Sequence, residues 1–167
     1  MNNIEYRELT IDDLKEFKRL RLELLKNEPT NFGSSYEEEL QFEDIMWTNR
    51  LSKETVITYG AFIENKLVGM SLGVMSPRKK MKHAATINSV YVSKEQRGNN
   101  IGMTLMINLI DVLKKKKIEA IKLSVVSTNQ PAVRLYTKLG FIHYGTEDYS
   151  IKYNNEYISQ YLMIKKL

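Results

Sequence analysis

The run Arg97-Gly98-Asn99-Asn100-Ile101-Gly102 sits between an alternating apolar stretch ending at Val92 and a long apolar run from Ile101 to Leu113. A strand, a glycine-bearing turn and a helix N-terminus make an anion site without any basic residue. The first N–H groups of a helix have no intrahelical acceptor, and the helix dipole adds partial positive charge there. The spacing is Gly-x-x-x-Gly, so it is not the G-x-G-x-x-G dinucleotide fingerprint, and no Gly-Lys-Ser/Thr follows as in a nucleotide P-loop. A pyrophosphate held by backbone amides remains as a reading, beside that of a plain strand-to-helix turn. Asn100 is the awkward residue, but Asn is the side chain that best tolerates left-handed backbone after Gly.

A second chemical segment is Ser127–Phe141, STNQPAVRLYTKLGF. Asn129 near a strand end and Tyr136 one helix later could face the same cleft; equally, Asn129 could be an N-cap and Tyr136 a packing residue. Gly69-Met70-Ser71-Leu72-Gly73 satisfies G-x-S-x-G, the pattern of a hydrolase nucleophile elbow. An elbow needs a sharp strand-to-helix turn after the serine. Here the strand pattern runs on through Val74 and Met75, and the only histidines are His83 and His143, so a serine hydrolase using Ser71 is a remote alternative.

These segments need a framework. Ile4–Leu9 alternates as a strand, and Thr10 or Asp12 can cap a helix carrying Leu14, Phe17, Leu20, Leu24 and Leu25, ended by Pro29 and Gly33. Ser34 and Ser35 open what reads as one further helix through Leu51. Two strands follow, joined by a tight hairpin at Glu64-Asn65-Lys66. His83–Val92 is a strand, Ile101–Lys117 a helix and Ala120–Ser127 a strand. A helix follows with Pro131 in its first turn and Gly140 at its end, and two strands close the chain. The order is β-α-α-β-β-β-α-β-α-β-β, a mixed α/β chain of 167 residues expected to form one domain, residues 1–167.

Composition narrows the function. There is no cysteine, which removes disulfides, thiolate nucleophiles and Cys-based zinc sites and fits a reducing compartment. No metal site is read. The N-terminus lacks an apolar segment behind a basic start, and Ile101–Leu113 is too short to span a membrane, so a cytoplasmic protein with no membrane partner is expected. The net charge of +5 comes largely from Arg78–Lys82 and Lys114–Lys117, with no interleaved aromatics for base stacking, so no nucleic-acid partner is expected.

Together, VYVSKEQRGNNIG and STNQPAVRLYTKLGF resemble the GCN5-related N-acetyltransferases (GNAT). The first matches that family's R/Q-x-x-G-x-G/A acetyl-CoA motif and the second its Asn, helix, Leu-Tyr, Gly-Phe segment. The motif resemblance covers about residues 55–145. It implies a central sheet that is mixed but mostly antiparallel, flanked by helices, and acetyl transfer from acetyl-CoA, as co-substrate, to a primary amine, either a small molecule or a peptide or protein α-amine. Carried over residue by residue, Val90, Tyr91 and Val92 lend backbone groups to the pantetheine and thioester. The amides of Arg97, Gly98, Asn99, Asn100, Ile101, Gly102 and Met103 hold the pyrophosphate, Asn129 contacts the pantetheine arm, and Tyr136 protonates the leaving thiolate. Asn100 departs from the usual glycine, which implies somewhat weaker coenzyme binding. The acceptor pocket falls on the segment holding Phe32, Ser35, Tyr36 and Glu38, acidic and aromatic, together with Tyr149–Tyr161; a helix cap explains the acidic residues equally well.

For proton transfer, a phenol near pKa ~10 and a thiol near ~8.5 differ by about 2 kcal/mol. Glu37–Glu39, Glu147 and Asp148 are the carboxylates nearest by topology, and none matches a base motif. Deprotonating a lysine-like amine at pH 7 costs about 4.6 kcal/mol and an α-amine about 1 kcal/mol, which favours a low-pKa acceptor. A non-catalytic acyl-CoA sensor of the same fold is the main alternative, and a homodimer is an assembly open to test.

Overall fold

The computed structural model describes residues 3–167. Strand β1 (Glu5–Glu8) leads through a 3-10 turn (Ile11–Asp13) into α1 (Leu14–Asn27), followed by α2 (Tyr36–Leu40) and α3 (Asp44–Ser52). Then come β2 (Val56–Ile63), β3 (Lys66–Met75), β4 (Ala84–Val92), α4 (Ile101–Lys115), β5 (Ala120–Val126), α5 (Gln130–Lys138), β6 (Ile142–Tyr153) and β7 (Glu156–Lys166). The strands form one seven-stranded sheet in the order β1-β2-β3-β4-β5-β7-β6, antiparallel except where β5 lies beside β4. This is the mostly antiparallel mixed sheet expected from the sequence.

Two boundaries differ from expectation. The Thr10 region forms the 3-10 turn, because the Asp13 carboxylate accepts both the Thr10 N–H (2.8 Å) and the Arg7 guanidinium (2.7 Å), so α1 starts at Leu14. The single second helix is two. The chain turns extended at Glu43, and Phe42 folds inward against Trp47 while Glu39 is drawn to two arginines. The β2–β3 turn is as read: Glu64 and Asn65 both take positive φ (49° and 64°), the geometry that matches the twist of a two-residue hairpin.

The sheet is packed on both faces. Phe17, Leu20 and Leu24 of α1 bury against Leu67, Met70 and Tyr91 on one face. Met106, Leu109 and Leu113 of α4 bury against Ile87, Ile121 and Leu123 on the other. Each such side chain contributes about 1.5–3 kcal/mol by leaving water. None of the described helices is long and apolar enough to cross a membrane.

Strand β4 breaks its own alternation. Residues four apart on a regular strand share a face, yet Ile87 packs on the α4 side and Tyr91 on the α1 side. The cause is a β-bulge. Leu72 faces Asn88 and Met70 faces Tyr91, so Ser89 and Val90 together oppose Ser71, and Ser89 takes a left-handed φ of 56°. Just past this point the sheet splits. β4 and β5 pair only from Ala84↔Ala120 to Ile87↔Leu123, after which β5 remains paired with β7 alone. The second half of β4 therefore has one edge with no strand beside it.

Candidate active site

Two adjoining cavities, of about 470 and 560 Å³, open at this split and share Asn31, Phe32, Val90, Asn129, Ala132 and Tyr136. The smaller runs along the free edge of β4 to the start of α4. There Gly98 has φ 83° and Asn100, the α4 N-cap, has φ 57°, so Asn100 adopts the left-handed geometry expected of it. None of the backbone amides from Gly98 to Met103 donates to another described residue; the first amide of this segment with an acceptor is that of Thr104, on the Asn100 carbonyl at 3.0 Å. Gly98, Asn100, Ile101, Gly102 and Met103 line the cavity, while Asn99 stands outside it and donates to the Gln96 carbonyl. A Cβ on Gly102 would meet protein only at ordinary contact distance, 3.6 Å from Leu135, so the missing side chain leaves room for something other than this protein's own packing.

Arg97 plays a different part from the one expected. Its amide is bonded to the Lys94 carbonyl (3.3 Å), and its guanidinium donates to the Val92 carbonyl (3.0 Å) and to Glu28 (2.9 Å). It braces the loop against β4. Along β4, the Ser93 amide donates across to Val68 in the β3 direction. By the two-residue alternation of a strand, Tyr91 shares that side, while Val90 and Val92 turn their backbone groups to the cavity. Tyr91 contributes a buried side chain instead. Its hydroxyl donates to Glu23 (3.2 Å) and accepts from Asn27 (3.3 Å), and burial together with the nearby Glu23 charge outweighs Asn27 and Arg97 to push its pKa up.

Helix α5 forms the opposite wall. Asn129 is its N-cap, with the side-chain oxygen accepting the Ala132 amide at 3.4 Å. Its side-chain nitrogen donates to no described residue, and the residue lines both cavities, so capping and ligand contact are compatible roles. One helical turn past Ala132, Tyr136 is 7% exposed and packs edge-on to Phe141. Its hydroxyl has no described hydrogen-bond partner, and burial pushes its pKa above the ordinary phenol value. The phenol therefore stays protonated. Full transfer to a thiolate is costlier than free-solution values suggest unless the thiolate is desolvated too. Arg134 and Lys138 also line the smaller cavity and were missed in the sequence; projecting α5 as a helix puts them on the face of Pro131.

The larger cavity uses less of the acidic segment than expected. Phe32 and Ser34 line it, but Ser35, Tyr36 and Glu38 line neither cavity. Ser35 and Glu38 satisfy each other in a capping box: the Ser35 hydroxyl accepts the Glu38 amide (3.2 Å) and the Glu38 carboxylate accepts the Ser35 amide (3.1 Å). Glu39 is 1% exposed, clamped by Arg21 (2.7 and 2.9 Å) and Arg50 (2.9 and 3.2 Å). Burial alone pushes its pKa up, but the two guanidinium groups outweigh that and hold it below the ordinary carboxylate value. Glu147 is bonded to Ser150 and Asp148 to Ser159, and neither lines a cavity. Glu28 is the one carboxylate that lines either cavity, and it is engaged at both oxygens, Oε1 by Arg97 (2.9 Å) and Oε2 by Asn31 (3.0 Å), so no unpaired carboxylate lines them.

Ser71 is no nucleophile. It is fully buried in the middle of β3, opposite the bulge, and the strand continues to Met75 with no turn into a helix.

A splayed pair of strands, a free strand edge and a run of partnerless helix-start amides, beside a second pocket, define a two-substrate transferase cleft. The chain belongs to the acetyltransferase (GNAT) family, whose model matches residues 19–141. It is 28% identical over 125 residues to the L-amino acid N-acetyltransferase AaaT of Escherichia coli (strain K12), covering 73% of this chain and 76% of that protein. It is 31% identical over 122 residues to human N-alpha-acetyltransferase 30, covering 64% of this chain and 34% of that longer protein. The fold is shared with yncA of Salmonella typhimurium, solved with its cofactor acetyl-CoA, at a TM-score of 0.82 and 14% identity over 99% of this chain and 94% of that one. The protein is an N-acetyltransferase with acetyl-CoA as its donor.

Proposed function

We propose that residues 1–167 work as one N-acetyltransferase domain that acetylates a primary α-amine on a small molecule or peptide. The observation that carries the site assignment is the run of amides from Gly98 to Met103 without protein acceptors, all but Asn99 on residues lining a cavity continuous with the free edge of β4. Those amides would hold the pyrophosphate, with Arg134 and Lys138 adding positive charge. Val90 and Val92 would hold the pantetheine arm together with the Asn129 side-chain nitrogen. Bound there, acetyl-CoA supplies the acyl carbon: the amine forms the C–N bond, the C–S bond breaks, and the proton lost by nitrogen balances the one gained by sulfur. A β4 amide donates to the carbonyl oxygen as it gains negative charge. Tyr136 donates its hydroxyl proton, as a hydrogen bond or fully, to the departing sulfur.

The name of AaaT denotes N-acetyl transfer to L-amino acids, and that of N-alpha-acetyltransferase 30 denotes transfer to an α-nitrogen. No unpaired carboxylate lines the cavities, which favours an α-amine over a lysine-like amine, since the α-amine costs less to deprotonate at neutral pH. The Glu39 cluster is closed off by its arginines, so any proton relay runs through water. We place the activity in the cytoplasm, with no membrane or nucleic-acid partner.

Incubation with acetyl-CoA and a panel of amines and dipeptides, following free thiol release, tests this reading. Release with some acceptor supports it. Tight acetyl-CoA binding without release on any acceptor favours a sensor.

A further inference from the structure

The larger cavity has a one-sided charge. Its only ionisable groups besides Tyr136 are Arg21, Arg50 and Lys53; no aspartate, glutamate or histidine lines it. One carboxylate, Glu39, lies behind the two arginines and is spent on both of them. Arg21 commits three of its nitrogens, two to Glu39 and the third to the Ser89 hydroxyl at 2.7 Å. Arg50 reaches the same carboxylate through Nη1 and Nη2 and keeps Nε free of any described partner. Lys53 makes no ion pair with any described residue. Pairing Glu39 needs one cation; this cavity presents three. The uncharged walls are apolar at Phe32 and Leu72 and polar at Ser124 and Gln160.

We propose that this cavity is an acceptor subsite selecting an α-amine that also carries a free carboxylate, an amino acid, with Arg50 and Lys53 as the carboxylate's partners. The inference rests on the acetyltransferase reading and deepens it. Surplus positive charge in a partly enclosed pocket attracts an anion and repels an ammonium. An amino acid carboxylate satisfies the first condition. The second favours the neutral amine, the nucleophilic form, in a cavity lined by no carboxylate. A protein N-terminus, whose first carboxyl is already an amide, offers the cations nothing unless an acidic side chain follows. A polyamine or lysine side chain is disfavoured outright. The volume, about 560 Å³, is that of a small-molecule pocket.

The test compares a panel of L-amino acids with their carboxamides, in wild type and in Lys53→Gln, an exposed residue whose exchange leaves the Glu39 cluster intact. We expect wild type to favour acids by at least ten-fold in kcat/KM, against their intrinsic reactivity, because the carboxylate makes the amine more basic. Lys53→Gln should raise KM for acids about three- to ten-fold and leave amides nearly unchanged. Amides that match or exceed acids, or a Lys53→Gln effect equal on both sets, would overturn the subsite while leaving the acetyltransferase reading standing. A separate binding titration keeps the two apart if no amine is acetylated. N-acetyl amino acids and their amides are added to the protein saturated with CoA. Binding of the acids alone supports the subsite even where turnover fails; equal or absent binding of both overturns it.

Discussion

The guanidinium of Arg21 donates to the Ser89 hydroxyl at 2.7 Å, tying helix α1 to the one left-handed residue of β4. That residue belongs to the bulge that turns Val90 and Val92 toward the smaller cavity. A side chain lining the larger cavity thus fixes the strand edge that borders the smaller one. Ser89→Ala removes the acceptor of a mostly buried charged group and keeps the left-handed strain, so a loss of about 1.5–3 kcal/mol is expected. Ser89→Gly relieves the strain and should be less destabilised by about 1 kcal/mol. Denaturant unfolding of the two variants side by side checks the order; Ser89→Gly as the weaker protein would show that φ at this position carries no cost.

Glu39 should be the most sensitive acidic residue in the molecule. Glu39→Gln leaves Arg21 and Arg50 close together without their counter-ion, with an expected loss of about 3–5 kcal/mol at neutral pH. Its pKa is lower folded than unfolded, so its stabilisation is present above the ordinary carboxylate value of about 4.3 and is lost as pH falls through the folded value. Unfolding free energy measured from pH 7 to pH 3 should therefore fall more steeply in wild type than in Glu39→Gln. Parallel curves would mean that the ion cluster does not set acid stability.

Tyr136→Phe keeps the ring against Phe141 and removes only the hydroxyl. Steady-state rates should drop about 10²–10⁴-fold, with acetyl-CoA affinity within a few-fold of wild type. Because burial raises the phenol's pKa, no loss of wild-type rate from its ionisation is expected up to pH ~10. An unchanged kcat in the variant would make Tyr136 a packing residue.

Asn100 already sits at φ 57°, so Asn100→Gly should bind acetyl-CoA as well as wild type or up to several-fold tighter, as calorimetry would show. Gly102→Val is the contrast: it fills space on the cavity side and should fold but bind poorly. A large loss in Asn100→Gly would mean that the Asn side chain itself holds the coenzyme.

Much of this architecture was legible in the sequence because it is local. Leu20, Leu24, Leu105 and Leu109 recur at helical spacing, and Asn65 and Asn100 carry side chains that suit positive φ. The left-handed turn between β4 and α4 followed from the same local signals. What the sequence hid depends on distant partners. Glu39 looks like its neighbours Glu37 and Glu38, and only Arg21, 18 residues away, and Arg50 make it a buried counter-ion. The split of the second helix follows from that same pull and from Phe42 meeting Trp47. Ser89 reads as one more strand residue until β3 is laid beside it. Arg134 and Lys138 hid in a helix whose facing wall was not visible.

The most direct test of the coenzyme site is the amide NMR spectrum of the isotope-labelled protein titrated with acetyl-CoA. The amides from Gly98 to Met103, which lack acceptors in the protein, should shift farthest and gain the greatest protection from exchange, with Val90 and Val92 next. Saturable binding that leaves these resonances in place and moves others instead would contradict the assignment of the donor site to the β4 edge and the α4 N-terminus.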